Sequence, residues 1–131
     1  MSHKLNISQT SAIVSALNAV KNKECPCTKL IQGPPGTGKT AMLVTLLYVL
    51  LHQRYKVLVC APTNTAISEI AMRFLNIVTS PSDQCPNTDN IPCIVKLSDL
   101  VLVGHEEHLD IEGPLADIFL PYRVERLSKM S

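Results

Sequence analysis

The sequence predicts an α/β fold, a parallel sheet with flanking helices, on three observations. A glycine-rich turn, Gly33-Pro34-Pro35-Gly36-Thr37-Gly38-Lys39-Thr40, stands between an apolar pair, Leu30 and Ile31, and an apolar run at 41–51. A second run, KVLVCA at 56–61, is almost continuously apolar, the pattern of a strand buried on both faces. The resulting order of strand, helix, strand, helix is that of a doubly wound sheet.

The elements follow in chain order. Residues 5–20 carry Ala12, Ile13, Ala16, Leu17 and Val20 at helical spacing, with Ser8 as the expected N-cap. Gln9 falls in the first turn. Its amide has the donor and acceptor geometry to bind the N6/N7 edge of adenine, the alternative being a solvated glutamine. Residues 21–28 read as a polar linker. The turn at 33–40 then fits the phosphate-binding pattern G-x-x-x-x-G-K-[ST]. Gly33, Gly36 and Gly38 let backbone N–H groups close on an anion, and Pro34 and Pro35 stiffen the turn. A helix over about 39–53 directs its free N–H groups and positive dipole end at the same place. Lys39 supplies a point charge for the β- and γ-phosphates of a nucleotide, and Thr40 a hydroxyl for Mg²⁺.

Pro62-Thr63-Asn64-Thr65 is a turn rich in N-cap residues, and Ile67, Ile70, Ala71, Phe74, Leu75 and Val78 place one apolar face on the helix after it. Residues 79–92, rich in Pro, Asn, Asp and Ser, read as an exposed loop. A short strand is expected at 99–104. Gly113-Pro114 opens a helical stretch in which Pro121 forces a kink or a break. Arg123, Arg126 and Lys129 give the last segment a basic face, whose default reading is solvation.

Composition narrows the function classes. The chain has 131 residues, 46% hydrophobic, with net charge +1, enough for one compact domain or part of a larger one. Near-neutrality gives no global signal for nucleic acid, so any such binding is local. The first ten residues lack an apolar signal region, and no apolar run approaches the roughly 18 residues of a membrane span. Five cysteines, Cys25, Cys27, Cys60, Cys85 and Cys93, argue with this for reduced thiols in the nucleus or cytoplasm. Cys25-Pro26-Cys27 lacks zinc-knuckle spacing. His105-Glu106-Glu107-His108 has its histidines at i and i+3, where the metalloprotease helix needs i and i+4. Glu106 and Glu107 are separated by Gly104 and His105 from the apolar Val101-Leu102-Val103, off the tip where Mg²⁺-binding acids would sit.

Three segments together resemble one family. Leu5-Asn6-Ile7-Ser8-Gln9 resembles the Q-motif LNxSQ, residues 31–40 are similar to motif I in its form IQGPPGTGKT, and residues 60–66 are similar to motif Ia, CAPTNTA. In this order they resemble the senataxin and nonsense-mediated-decay group of superfamily 1 helicases, in particular its plant senataxin-like branch. The insert pattern of that branch is echoed at 99–104 and 115–127. The resemblance implies a P-loop NTPase of truncated RecA-like fold. Residues 1–80 would form the first part of the ATP-binding lobe, and 81–131 a loop and the start of an insert region. It implies that Gln9 reads adenine, that the loop from Gly33 to Thr40 holds ATP and Mg²⁺, and that Pro62, Thr63 and Asn64 touch the backbone of single-stranded RNA or DNA. The family activity is ATP-driven 5′-to-3′ translocation and unwinding. The DEAxQ motif, a later glutamine and a second lobe with its arginine finger are absent from these 131 residues. The chain alone is therefore expected to bind ATP and hydrolyse it poorly. The rival readings are a truncated, non-catalytic nucleotide-binding or interaction protein and, more weakly, a small phosphotransferase or GTPase.

Overall fold

The computed structural model describes residues 5–22, 26–80 and 95–131. It divides the chain into two compact units, Met1–Val57 and Leu58–Ser131, each with its own apolar core.

The first unit is a pair of helices joined by the phosphate-loop segment. α1 spans Ile7–Lys21 and α2 spans Lys39–His52. The cap of α1 is Asn6 rather than the expected Ser8. The Asn6 side chain accepts from the Gln9 backbone N–H at 2.8 Å, while Gln9 Oε1 accepts from the Asn6 backbone N–H at 2.9 Å. This reciprocal capping box satisfies two N–H groups at once, an advantage that a lone Ser8 hydroxyl lacks. Ile13 from α1 meets Met42, Leu46 and Leu50 from α2 in a small core, with Leu17 and Tyr55 packed against it. α2 ends where Arg54 turns left-handed (φ 67°). The Tyr55 N–H then donates to the Leu50 carbonyl and the Arg54 N–H to the Leu51 carbonyl, each at 3.0 Å. This is the Schellman pattern, with arginine where glycine is usual.

The second unit is built around Leu75 and Phe119, both fully buried. α3, Asn64–Thr79, is capped by Thr63 and turns Phe74 and Leu75 inward, with Ile67 and Ala71 against the core. The expected break falls at Phe119, between α4 (Leu115–Ile118) and α5 (Leu120–Lys129). Pro121 lies in the first turn of α5, where its missing N–H leaves no gap. Leu102, Leu109, Leu115 and Ile118 complete the core. The Arg123 guanidinium binds four backbone carbonyls, those of Asp117 (2.9 Å), Ser98 (3.5 Å), Leu100 (2.5 Å) and Leu97. It thus ties the loop before α4 to the start of α5. Beside it, the Tyr122 hydroxyl donates to Glu106, and this bond, with the nearby carboxylate charge, pushes the Tyr122 hydroxyl above its ordinary pKa.

The expected parallel sheet is not present: the described residues contain helices and turns and no strand. Residues 29–32 and 56–61 make no backbone ladder bonds among the described residues, and Leu30 and Leu58 are 89% and 88% exposed. An apolar run specifies where a strand would gain from burial, but a strand exists only through a neighbour that supplies the other half of its ladder. The strand expected at 99–104 is reduced to one parallel bridge between Leu102 and Phe119. Leu102 N–H donates to the Ile118 carbonyl at 2.8 Å, and Leu120 N–H to the Leu102 carbonyl at 2.9 Å. Phe119 is extended for a single residue between two helices, so the pairing has nowhere to propagate. The exposed loop expected at 79–92 lies, beyond Ser80, outside the described residues, as do Cys25, Cys85 and Cys93.

Candidate functional site

The phosphate loop is shaped by its own side chains. Gly36 and Gly38 adopt φ values of 78° and 81°, a region costly for any residue with a β-carbon. Thr37 Oγ1 donates to the Pro34 carbonyl at 2.7 Å. Lys39 Nζ donates to the Gly33 carbonyl at 2.5 Å and the Pro34 carbonyl at 2.9 Å. The two prolines have no N–H to offer, and the carbonyls on this side of the turn are occupied. The donors left are the N–H groups of Gly36, Thr37, Gly38, Lys39 and Thr40, none of which donates to another group among the described residues. Five uncommitted N–H groups at a left-handed turn that opens a 14-residue helix are chemically an anion cradle.

These residues fit a nucleoside triphosphate and a divalent cation. The lysine is exposed and holds only neutral carbonyls, which a phosphate oxygen outcompetes as an acceptor for an ammonium group. Thr40 is half-buried at the first turn of α2, with its hydroxyl uncommitted among the described residues.

Gln9 is brought to this loop from 28 residues away. Its Nε2 donates to the Thr37 carbonyl at 2.9 Å and stands 3.4 Å from the Gly38 carbonyl, while its Oε1 holds the Asn6 N–H. Both ends of the amide that the sequence assigns to adenine therefore have protein partners. A β-carbon at position 38 would lie 2.6 Å from Gln9 Nε2, so a side chain there would displace the Gln9 amide from the loop, besides straining a left-handed φ. The sequence signal of the Asn6 cap is the Asn-x-x-Gln spacing at 6–9, that of a capping box.

Pro62, Thr63 and Asn64 lie in the other unit, all exposed at the start of α3. The Thr63 hydroxyl is engaged as the cap, accepting from the Ala66 N–H at 3.2 Å. Asn64 and Thr65 border an open groove of about 530 Å³, whose other walls include Glu69, His108, Asp110 and Glu112. The acidic lining of this groove was not anticipated from the sequence. Cys27 and Cys60 are exposed free thiols. Among the described residues, no group of three or more His, Cys, Asp or Glu side chains converges on a metal position, and no helix is long and apolar enough to cross a membrane.

The family model described as an AAA domain matches residues 4–131. The chain is similar to a Regulator of nonsense transcripts 1 homolog of Arabidopsis thaliana, at 47% identity over 44% of this chain and 5% of that protein. It is similar to the ATP-dependent helicase NAM7 of Saccharomyces cerevisiae, at 38% identity over 56% of this chain and 7% of that one. Helicase SEN1 of the same yeast is 36% identical over 55% of this chain and 4% of its own length. The chain thus spans well under a tenth of the length of these relatives. No solved structure matches it. With a family model that covers nearly every residue, the chain belongs to the AAA domain family.

Proposed function

We propose that this chain is the nucleotide-binding part of an ATP-dependent helicase of the 5′-to-3′ translocase class that acts on RNA or DNA. The observation that carries the reading is the loop at 33–40, with two glycines at positive φ, five uncommitted N–H groups and a lysine at its rim. Relatives named as an ATP-dependent helicase and a helicase support it. In this reading Gly33, Pro34, Pro35, Gly36, Thr37 and Gly38 form the cradle. Lys39 leaves the Gly33 and Pro34 carbonyls for the β- and γ-phosphates, so the neutral partners of its charge are replaced by an anion. Thr40 holds Mg²⁺, which when bound supplies positive charge to the phosphate oxygens. Gln9 reads the adenine edge, and must then exchange at least one of its present partners for the base. Pro62, Thr63 and Asn64 meet the sugar-phosphate backbone of a single strand, without reading its sequence. Residence in the nucleus or the cytoplasm goes with this role.

Calorimetric titration of the full chain with ATP, with and without Mg²⁺, tests the reading. Binding is expected to tighten with Mg²⁺. Lys39→Ala is expected to weaken it by about tenfold to a hundredfold, the equivalent of one or two charge-assisted hydrogen bonds. Binding that is indifferent to Lys39, or no binding by the unmutated chain, would sink it.

A further inference from the structure

The geometry points to Gln9 as a positioning residue for phosphate, one that aims the backbone N–H groups of Gly38 and Lys39 whatever base the nucleotide carries. The inference rests on the nucleotide-binding reading of the loop and adds to it a duty for Gln9 that needs no adenine.

In a trans peptide, the carbonyl of one residue and the N–H of the next point in opposite directions. All the described peptides are trans. Gln9 Nε2 lies 2.9 Å from the Thr37 carbonyl oxygen, which turns that carbonyl toward α1. The N–H of Gly38, at the other edge of the same plane, is thereby set to face away from α1. The Gly38 carbonyl, 3.4 Å from the same nitrogen and accepting from Met42 N–H at 3.0 Å, sets the N–H of Lys39 in the same way. These are two of the five donors uncommitted at the cradle. Glycine at 38 has a soft backbone, so without an outside strut this plane would turn at little cost. Gln9 supplies that strut.

The strut is itself held. Gln9 Oε1 accepts from the Asn6 N–H, and Gln9 N–H donates to Asn6 Oδ1, so the side chain is oriented by the capping box of a 15-residue helix. α1 is fixed in turn by the packing of Ile13 on Met42, Leu46 and Leu50 of α2, the helix that the loop opens. The arrangement closes a ring: loop, α2, core, α1, Gln9 and back to the loop. Ordering the loop before the ligand arrives lowers the entropy lost on binding. That benefit accrues to any ligand with a polyphosphate, whereas a base reader benefits adenine nucleotides alone.

The test compares affinities of the full chain for inorganic tripolyphosphate, GTP and ATP by titration calorimetry. Gln9→Met keeps the length and stem of the side chain and removes both polar ends. It is expected to weaken tripolyphosphate and GTP by about fivefold to tenfold, the scale of one or two neutral hydrogen bonds, and ATP by at least as much, since ATP also loses its base contact. Asn6→Ala removes the Oδ1 half of the capping box but leaves the Asn6 N–H on Gln9 Oε1, and is expected to weaken all three ligands in parallel, by less than Gln9→Met does. Loss confined to ATP, with tripolyphosphate unchanged in Gln9→Met, would overturn the inference and leave Gln9 a base reader only. If Gln9→Met loses the helical signal of the unmutated chain, the side-chain amide resonance of Gln9 is followed by NMR instead. Slow solvent exchange of that amide, slowed further by tripolyphosphate, supports the strut; exchange as fast as for an exposed glutamine, unaltered by tripolyphosphate, overturns it. An unmutated chain that binds none of the three ligands would defeat the nucleotide-binding reading itself, a result distinct from a base-selective loss.

Discussion

The two units order their backbone by opposite means. In Met1–Val57 the turn at 33–40 is held by side chains that are mostly its own: Thr37 and Lys39 cap carbonyls three to six residues away, and among the described residues only Gln9 comes from afar. In Leu58–Ser131 the turns are held by burial and by one distant arginine. Phe119 and Leu75 are sealed from solvent, and Arg123 reaches carbonyls up to 26 residues back. Local caps leave donors facing outward for a ligand, whereas a buried core and an arginine clamp consume the polar groups they touch. The first arrangement suits a site, the second a scaffold.

The largest effect expected from this contrast is at Phe119. Phe119→Ala removes a fully buried ring that stacks edge-on against Tyr122 at 5.1 Å. It should destabilise the second unit by about 3–5 kcal/mol. Hydrogen exchange should then quicken across α3, α4 and α5. Equal loss of protection in α1 and α2 would break the division into two separately cored units.

Arg123→Met comes next. It preserves the apolar stem and strips four backbone carbonyls of their donor, for an expected loss of about 2–3 kcal/mol in denaturant unfolding. Arg123→Lys should recover only part of this, because one ammonium group cannot match the planar fork that spans Leu97, Leu100 and Asp117. Full recovery by lysine would mean that charge, rather than geometry, carries the clamp.

The smallest expected effect has the opposite sign and lies in the first unit. Arg54→Gly relieves a left-handed arginine at the end of α2, and should raise stability by about 0.5–1 kcal/mol, read as a higher midpoint in urea. A loss instead would mean that the Arg54 side chain contributes more than its backbone costs.

How much was legible follows from how local each feature is. The phosphate loop, the helix that it opens and the apolar face of α3 are written in short-range spacing, and α2 and α3 lie at Lys39–His52 and Asn64–Thr79. The break near Pro121 was legible because a missing N–H has a local consequence. The sheet was not, because KVLVCA encodes a preference for burial between layers and says nothing of the partner that must provide the ladder; Leu58 stands exposed instead. The Arg123 clamp was hidden for a related reason. In sequence it is a member of a basic helical face with Arg126 and Lys129. Only the fold shows it turned onto carbonyls, while Arg126 and Lys129 make surface pairs with Asp117 and Glu125. Gln9 was legible as a residue of interest, and its contact with the Thr37 carbonyl was not, since a separation of 28 residues leaves no periodic trace.

The central claim, that the backbone of residues 36–40 is an anion cradle, is tested most directly by the amide resonances of those residues as ATP and Mg²⁺ are added to the full chain. The amides of Gly36, Thr37, Gly38, Lys39 and Thr40 are expected to move together and more than any others, downfield as they take up phosphate oxygens, with tripolyphosphate alone reproducing most of the change. Shifts centred instead on the groove beside Asn64 and Glu112, or no saturable shift at 36–40, would contradict it.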